Sequence, residues 1–170
     1  MGMQLIETIE VGSGGAASIE FTSIPQDGVD LVCVFSTRSD TTGSAEVIYT
    51  QLNSDTGANY AYVALRGNGS SASSFGGSSQ NQLFIGYQPK SSDTASTFTN
   101  TEIYVSNYTS SSAKSVASNS ADENNGTEAF QTLTANTYST SSPVTTLKVY
   151  PLSGNFVQYS SASLYKITAD

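Results

Sequence analysis

The sequence predicts an all-β protein: an antiparallel two-sheet β-sandwich, jelly-roll-like, with about ten strands. Three observations carry that prediction. Apolar residues alternate with polar ones along much of the 170-residue chain, while the i, i+3, i+4 spacing of an amphipathic helix is almost missing. Turn signals interrupt the apolar segments at Gly12 to Gly15, Pro25 to Gly28, Asn68 with Gly69, Asn125 with Gly126 and Ser153 to Asn155. The resulting spacing of roughly ten residues per strand and turn suits a jelly roll better than a seven-stranded immunoglobulin-like sandwich.

The elements follow in chain order. Leu5, Glu7, Ile9 and Val11 alternate, as do Ile19 with Phe21 and Val47 with Tyr49, so these strands are expected to have one wet face. "VDLVCVFS" (29 to 36) is apolar at successive positions and rich in β-branched residues, the pattern of a central strand buried on both faces or at a contact. Cys33 lies within it and reads as a buried structural thiol, because no His or basic cluster sits nearby to lower its pKa. Six further strands are "YAYVALRG" (60 to 67), "QLFIGYQ" (82 to 88), "TEIYVSNY" (101 to 108), "AFQTLTANTY" (129 to 138), "TTLKVYPL" (145 to 152) and "SASLYKI" (161 to 167). Two segments read as long polar loops of a single 1–170 domain. "GNGSSASSFGGSSQ" (67 to 80) has linker composition, with Phe75 pinning its middle to the body or to a partner. A true linker there would leave a first piece too small to bury a core. Residues 109 to 128 offer only Val116 as a large apolar anchor, so an exposed edge strand plus loop, or a mobile excursion, is expected.

Composition removes most chemistries. The formal net charge is −8, and the six Lys and Arg are scattered singly, which predicts neither nucleic acid nor membrane as a partner. The opening MGMQLIETIEV is interrupted by Glu7 and Glu10 and predicts no secretory signal; Ile6 stands where a myristoylation motif needs Ser or Thr. Ser and Thr make up roughly three residues in ten, so the surface is hydroxyl-rich rather than ionic. With no His in the chain, the Ser-His-Asp and Cys-His arrangements and the usual zinc sites are excluded. Asp27 with Asp30, and Asp122 with Glu123, are the closest carboxylate pairs for glycoside hydrolysis, but both read as solvated acidic turns. The sequence therefore predicts no enzyme and assigns no catalytic, cofactor-binding or metal-ligating residue.

"NSDTGANY" (53 to 60) is the one stretch that invites a metal reading. An EF-hand loop needs glycine at its sixth position and a bidentate Glu at its twelfth, whereas here Gly57 comes fifth and Ala64 twelfth. A turn is the better reading, with Asp55 accepting bonds from following amides and Gly57 at positive φ. A site outside the EF-hand pattern, built on Asp55 and carbonyls, is the alternative. The sequons at Asn68, Asn107 and Asn125 carry little weight in a chain this rich in Asn, Ser and Thr.

The opening "LIETIEVGSGGAASIEFTSIPQDGVDLVCVFSTRS", with "LNSDTGANYAYVALRGNG", "FIGY" and the ending "FVQYSSASLYKI", resembles a group of small proteins of tailed bacteriophages, many of them marine. The resemblance spans essentially the whole chain, and its motifs are structural. The pattern ends in Leu-Tyr-Gly-Ile, where this chain has Leu164, Tyr165, Lys166 and Ile167. The resemblance implies a virion component on the capsid surface, assembled in the host cytoplasm: a decoration or cement protein bound to the major capsid protein, or a head fibre. Ten Tyr and seven Phe are more apolar area than a modest core needs, which suggests a homo-oligomer; the resemblance implies a trimer, since decoration proteins commonly sit at local threefold positions of an icosahedral lattice. A receptor-binding fibre tip and a secreted carbohydrate-binding or adhesin-like domain are the rival expectations.

Overall fold

A computed structural model describes residues 2–42, 46–124 and 128–169. Twelve strands form among them: β1 (Gly2–Glu10), β2 (Ile19–Phe21), β3 (Asp30–Ser36), β4 (Glu46–Leu52), β5 (Tyr60–Gly67), β6 (Ala72–Gln80), β7 (Leu83–Gln88), β8 (Asn100–Val105), β9 (Lys114–Asn124), β10 (Glu128–Tyr138), β11 (Leu147–Pro151) and β12 (Ser161–Thr168). They make an all-β sandwich of two antiparallel sheets, ordered β1-β12-β3-β8-β9-β10-β5-β6 and β2-β11-β4-β7.

Within that order lies an eight-stranded jelly roll. Strands β1-β12-β3-β8 form one face and β2-β11-β4-β7 the other, so the chain alternates between sheets as two Greek keys require. Two antiparallel pairs, β5 with β6 and β9 with β10, are inserted into this frame and extend only the first sheet. The second sheet therefore covers its larger partner incompletely, and its edge strand β7 lies against β9, β10 and β5.

The core sits between the sheets. Leu31, Cys33 and Phe35 of β3, Ile48 and Leu52 of β4, Leu83 and Ile85 of β7, and Leu147 and Val149 of β11 are all buried within it. As expected for a central strand, β3 is buried on both faces through most of its length. Burial pushes the Cys33 thiol up to about 12, so it is inert as a nucleophile.

Several expectations are corrected. Residues 72–80 are not loop but strand β6, paired with β5; Phe75 makes an edge contact with Phe84 at 5.4 Å and so pins the strand to the body. Within the segment expected as edge strand or excursion, residues 114–124 form β9, an interior strand between β8 and β10. Its inward face is Val116, Ser118 and Ser120, all buried, and hydroxyls replace the apolar anchors a sequence reading looks for. Ser118 Oγ donates to Ile85 O at 2.7 Å, and the Ser120 and Thr101 hydroxyls pair at 2.9 Å. Small side chains are needed there because β7 passes so close: a Cβ on Gly86 would stand 2.5 Å from Ser120 Cβ.

In β4 the predicted period holds but the faces are exchanged. Ile48, Thr50 and Leu52 point inward, while Val47 and Tyr49 are half-buried on the outer side. In β1 a bulge between Leu5 and Glu7 breaks the predicted alternation. Ile6 and Ile9 pack on the core, and Leu5 is left 51% exposed.

"NSDTGANY" is a crossover from β4 in one sheet to β5 in the other. Asp55 Oδ1 accepts from Gly57 N at 2.7 Å and Oδ2 from Asn59 Nδ2 at 2.9 Å, as the turn reading expects. Positive φ falls on Asn53 and Ser54, not on Gly57. Glycine at 57 answers a close approach instead: a Cβ there would lie 2.8 Å from Asn59 Nδ2 and 3.0 Å from Asp55 Oδ1. Asn125 and Gly126 lie outside the described residues.

Candidate functional site

Two features stand out from the packed frame, and the inserted strands contribute to both. The first is the outer face of the eight-stranded sheet. Alternation puts every second residue of each strand on that face, and cross-strand register lines them up. Tyr104, Ala117, Ala135 and Val63 stand side by side on β8, β9, β10 and β5, and Leu133 faces Leu65 in the adjoining row. Val63, Leu65 and Leu133 are 57%, 56% and 48% exposed, although they occupy the middles of hydrogen-bonded strands. Met3 and Leu5 continue the apolar character at the β1 edge. Two shallow hollows share Ala135 and Thr137 in their floors: one of about 490 Å3 toward β6, and one of about 310 Å3 toward Tyr104.

Charge on this face is one-sided. Glu10, Asp30, Glu102 and Glu123 fall on outward register positions of β1, β3, β8 and β9. None of the six Lys and Arg joins them: Arg66, Lys114 and Lys166 lie on inward positions, Lys148 is on the other sheet, and Arg38 and Lys90 are in loops. Asp30 is held in place, accepting from the Tyr104 hydroxyl at 2.5 Å and from Asn107 N at 2.7 Å. The face is thus apolar in the middle and acidic where it is charged.

The second feature is a cavity of about 130 Å3 at one end of the sandwich, where β7 meets the inserted strands. Arg66 from β5 enters it with its guanidinium carbon 4.0 Å from the Tyr87 ring centre and 4.3 Å from that of Phe130. Asp122 of β9 sits beside it, and burial, only partly countered by Arg66, raises its carboxyl to about 6. Gln88 closes the floor at 2% exposure. Lys90 and Asp93 form an ion pair of 2.9 Å at the rim.

The carboxylate pairs named from sequence are dispersed. Asp27 binds Lys166 at 2.6 Å, which holds its carboxyl below the usual range, while Asp30 serves Tyr104 and Asn107. Lys166, which departs from the resembled ending, is therefore a structural anchor. Asp122 and Glu123 are on a strand, not in a turn, and alternation sends them to opposite faces of the sheet. Arg66 and Gln88 were missed because each ends an apolar strand with nothing in sequence to join them. Among the described residues no group of three His, Cys, Asp or Glu is placed to hold a metal ion.

No protein-family model matches the chain, and no curated protein or solved structure matches it either.

Proposed function

We propose that this protein is a non-enzymatic structural component of a tailed-phage particle, a capsid decoration or cement protein that seats the outer face of its larger sheet on the shell. One observation carries the reading: a broad sheet face, half-exposed in Val63, Leu65 and Leu133, that carries carboxylates and, among the described residues, no cation. Apolar faces of this kind mark contact surfaces, and a carboxylate-bearing one suits an apolar patch rimmed by Lys and Arg on the major capsid protein. The sequence resemblance supports the same reading, as does the recurrence of the jelly roll in capsid proteins, an argument by analogy of fold.

Binding only the expanded shell, the protein adds its association free energy to shell stability by linkage. The working unit is a homotrimer on the capsid surface, with β6 of each copy set against a different patch of the next, as a threefold contact requires. That strand is an open sheet edge whose sequence, ASSFGGSSQ, has neither the charge nor the proline that usually blunts an edge. Sedimentation with expanded and unexpanded shells tests the seat, and light scattering tests the trimer. Leu133→Lys, which leaves the core untouched, is expected to abolish shell binding and the protection of heads against heat. If Leu133→Lys heads survive as well as wild type while adsorption to host cells falls, the cement reading fails and the fibre-tip reading replaces it.

A further inference from the structure

The end pocket is lined by polar groups that nothing in the protein answers. Neither Nε2 nor Oε1 of Gln88 has a hydrogen-bond partner, and Oδ1 of Asp122 and Nε of Arg66 are likewise buried and unpaired. All three side chains line the same 130 Å3 cavity. Buried polar atoms without partners are costly and rare in native proteins, so four in one cavity mark a place whose partners come from outside.

The chemistry of the set narrows the ligand. It offers an amide donor, an amide acceptor, a carboxyl oxygen and a guanidinium N–H. Hydroxyls on adjacent carbons meet such a set well, because each hydroxyl donates and accepts at once. An inorganic anion meets it badly, since Glu46, Asp93 and Asp122 bring three carboxyl groups against Arg66 and Lys90. A flat aromatic ligand would have to displace the Arg66 guanidinium from the rings of Tyr87 and Phe130. The volume equals the share of about four water molecules, which takes a glycerol-sized polyol or one edge of a sugar ring.

We propose that this pocket binds a vicinal diol, presented by a saccharide residue or by a free small polyol, with Gln88 and Arg66 donating to it and Gln88 and Asp122 accepting from it. The assignment rests on the pocket alone and is independent of the virion role. The inserted strands supply Arg66 and Asp122, and the jelly-roll frame supplies Gln88.

Titration of the 15N-labelled full chain, read by amide chemical shifts, tests it. The probes are glycerol, methyl α-glucoside and methyl α-mannoside, with 1-propanol as a control lacking the second hydroxyl. Saturable shifts confined to the pocket ends of β5, β7, β9 and β10 are expected for the diols and not for propanol. Gln88→Leu and Asp122→Leu, each of which removes the side chain's hydrogen-bonding atoms, are expected to weaken binding about tenfold or more, the worth of roughly one buried hydrogen bond. Either variant alone carries the test if the other fails to fold. A glycoside binding more tightly than glycerol assigns the ligand to a glycan, and the reverse order assigns it to a free polyol. Shifts that do not saturate, affinities unchanged in a folded variant, or a crystal soaked in glycerol whose pocket holds ordered water only would each overturn the proposal.

Discussion

Gly86→Ala is the sharpest probe of how the two sheets are held together. An alanine methyl at 86 would stand 2.5 Å from Ser120 Cβ and 2.6 Å from Ser120 Oγ. Ordinary carbon contacts are about 3.5–4.0 Å, so β7 and β9 must part by roughly an ångström. Overpacking of that kind costs about 1–3 kcal/mol. In a strand without such a neighbour, replacing glycine by alanine stabilises by about 0.5–1 kcal/mol, so the sign of the effect discriminates. The net expectation is a loss of about 1–2 kcal/mol, which for a chain of this length lowers Tm by about 2–8 °C in differential scanning calorimetry. Ser120→Gly removes the opposing Cβ. It loses the bond to Thr101 on its own account, yet it is expected to make Gly86→Ala harmless, giving a coupling of about 1 kcal/mol or more in a double-mutant cycle. A Gly86→Ala protein as stable as wild type, or more so, would refute the close approach and the account of why β9 is built from small hydroxyl residues.

Two further outcomes follow from the charges. Asp122 titrates near 6 in the folded protein against an ordinary 3.8, so its contribution to stability is fully present below about pH 3.8 and lost as pH rises through about 6. Glu46 is raised in the same direction by burial. Tm is therefore expected to climb as pH falls from 7 toward 4, and Asp122→Asn should flatten that climb; a wild-type Tm that drops steadily over the same range contradicts it. Asp27 and Asp55, both lowered, act oppositely: what they contribute is lost as pH falls through their depressed values, so Tm should turn down again in stronger acid. For the crossover turn, EDTA is expected to leave Tm unchanged while Asp55→Ala costs about 1 kcal/mol by releasing the Gly57 and Asn59 bonds. A chelator-induced drop that calcium reverses would restore the ion site.

The eight strands of the jelly roll, with β5 and β10, were legible because their apolar residues recur with strand spacing and their ends carry turn chemistry. Period alone does not choose a face. In β4, Val47 and Tyr49 look as apolar as Ile48 and Leu52, and only the second sheet decides which set is covered. In β1, one bulge at Ile6 turns the later residues over, an event set by pairing with β12 that leaves no mark on β1 itself.

Sequence by itself determined the class of the protein: strands throughout, a buried inert thiol in β3, no histidine chemistry, and a turn held by Asp55. Tertiary structure decided the rest. Residues 72–80 and 114–124 become strands because neighbouring backbones offer them a ladder and Gly86 lets β7 close over Ser120, not because their Ser and Gly side chains prefer it. Both the acidic, apolar sheet face and the pocket of Arg66, Gln88 and Asp122 are assembled across strands far apart in sequence. A linear pattern reports what each strand buries on its own; a surface or a pocket depends on which strands become neighbours, and that is settled only when the two inserted pairs join the larger sheet.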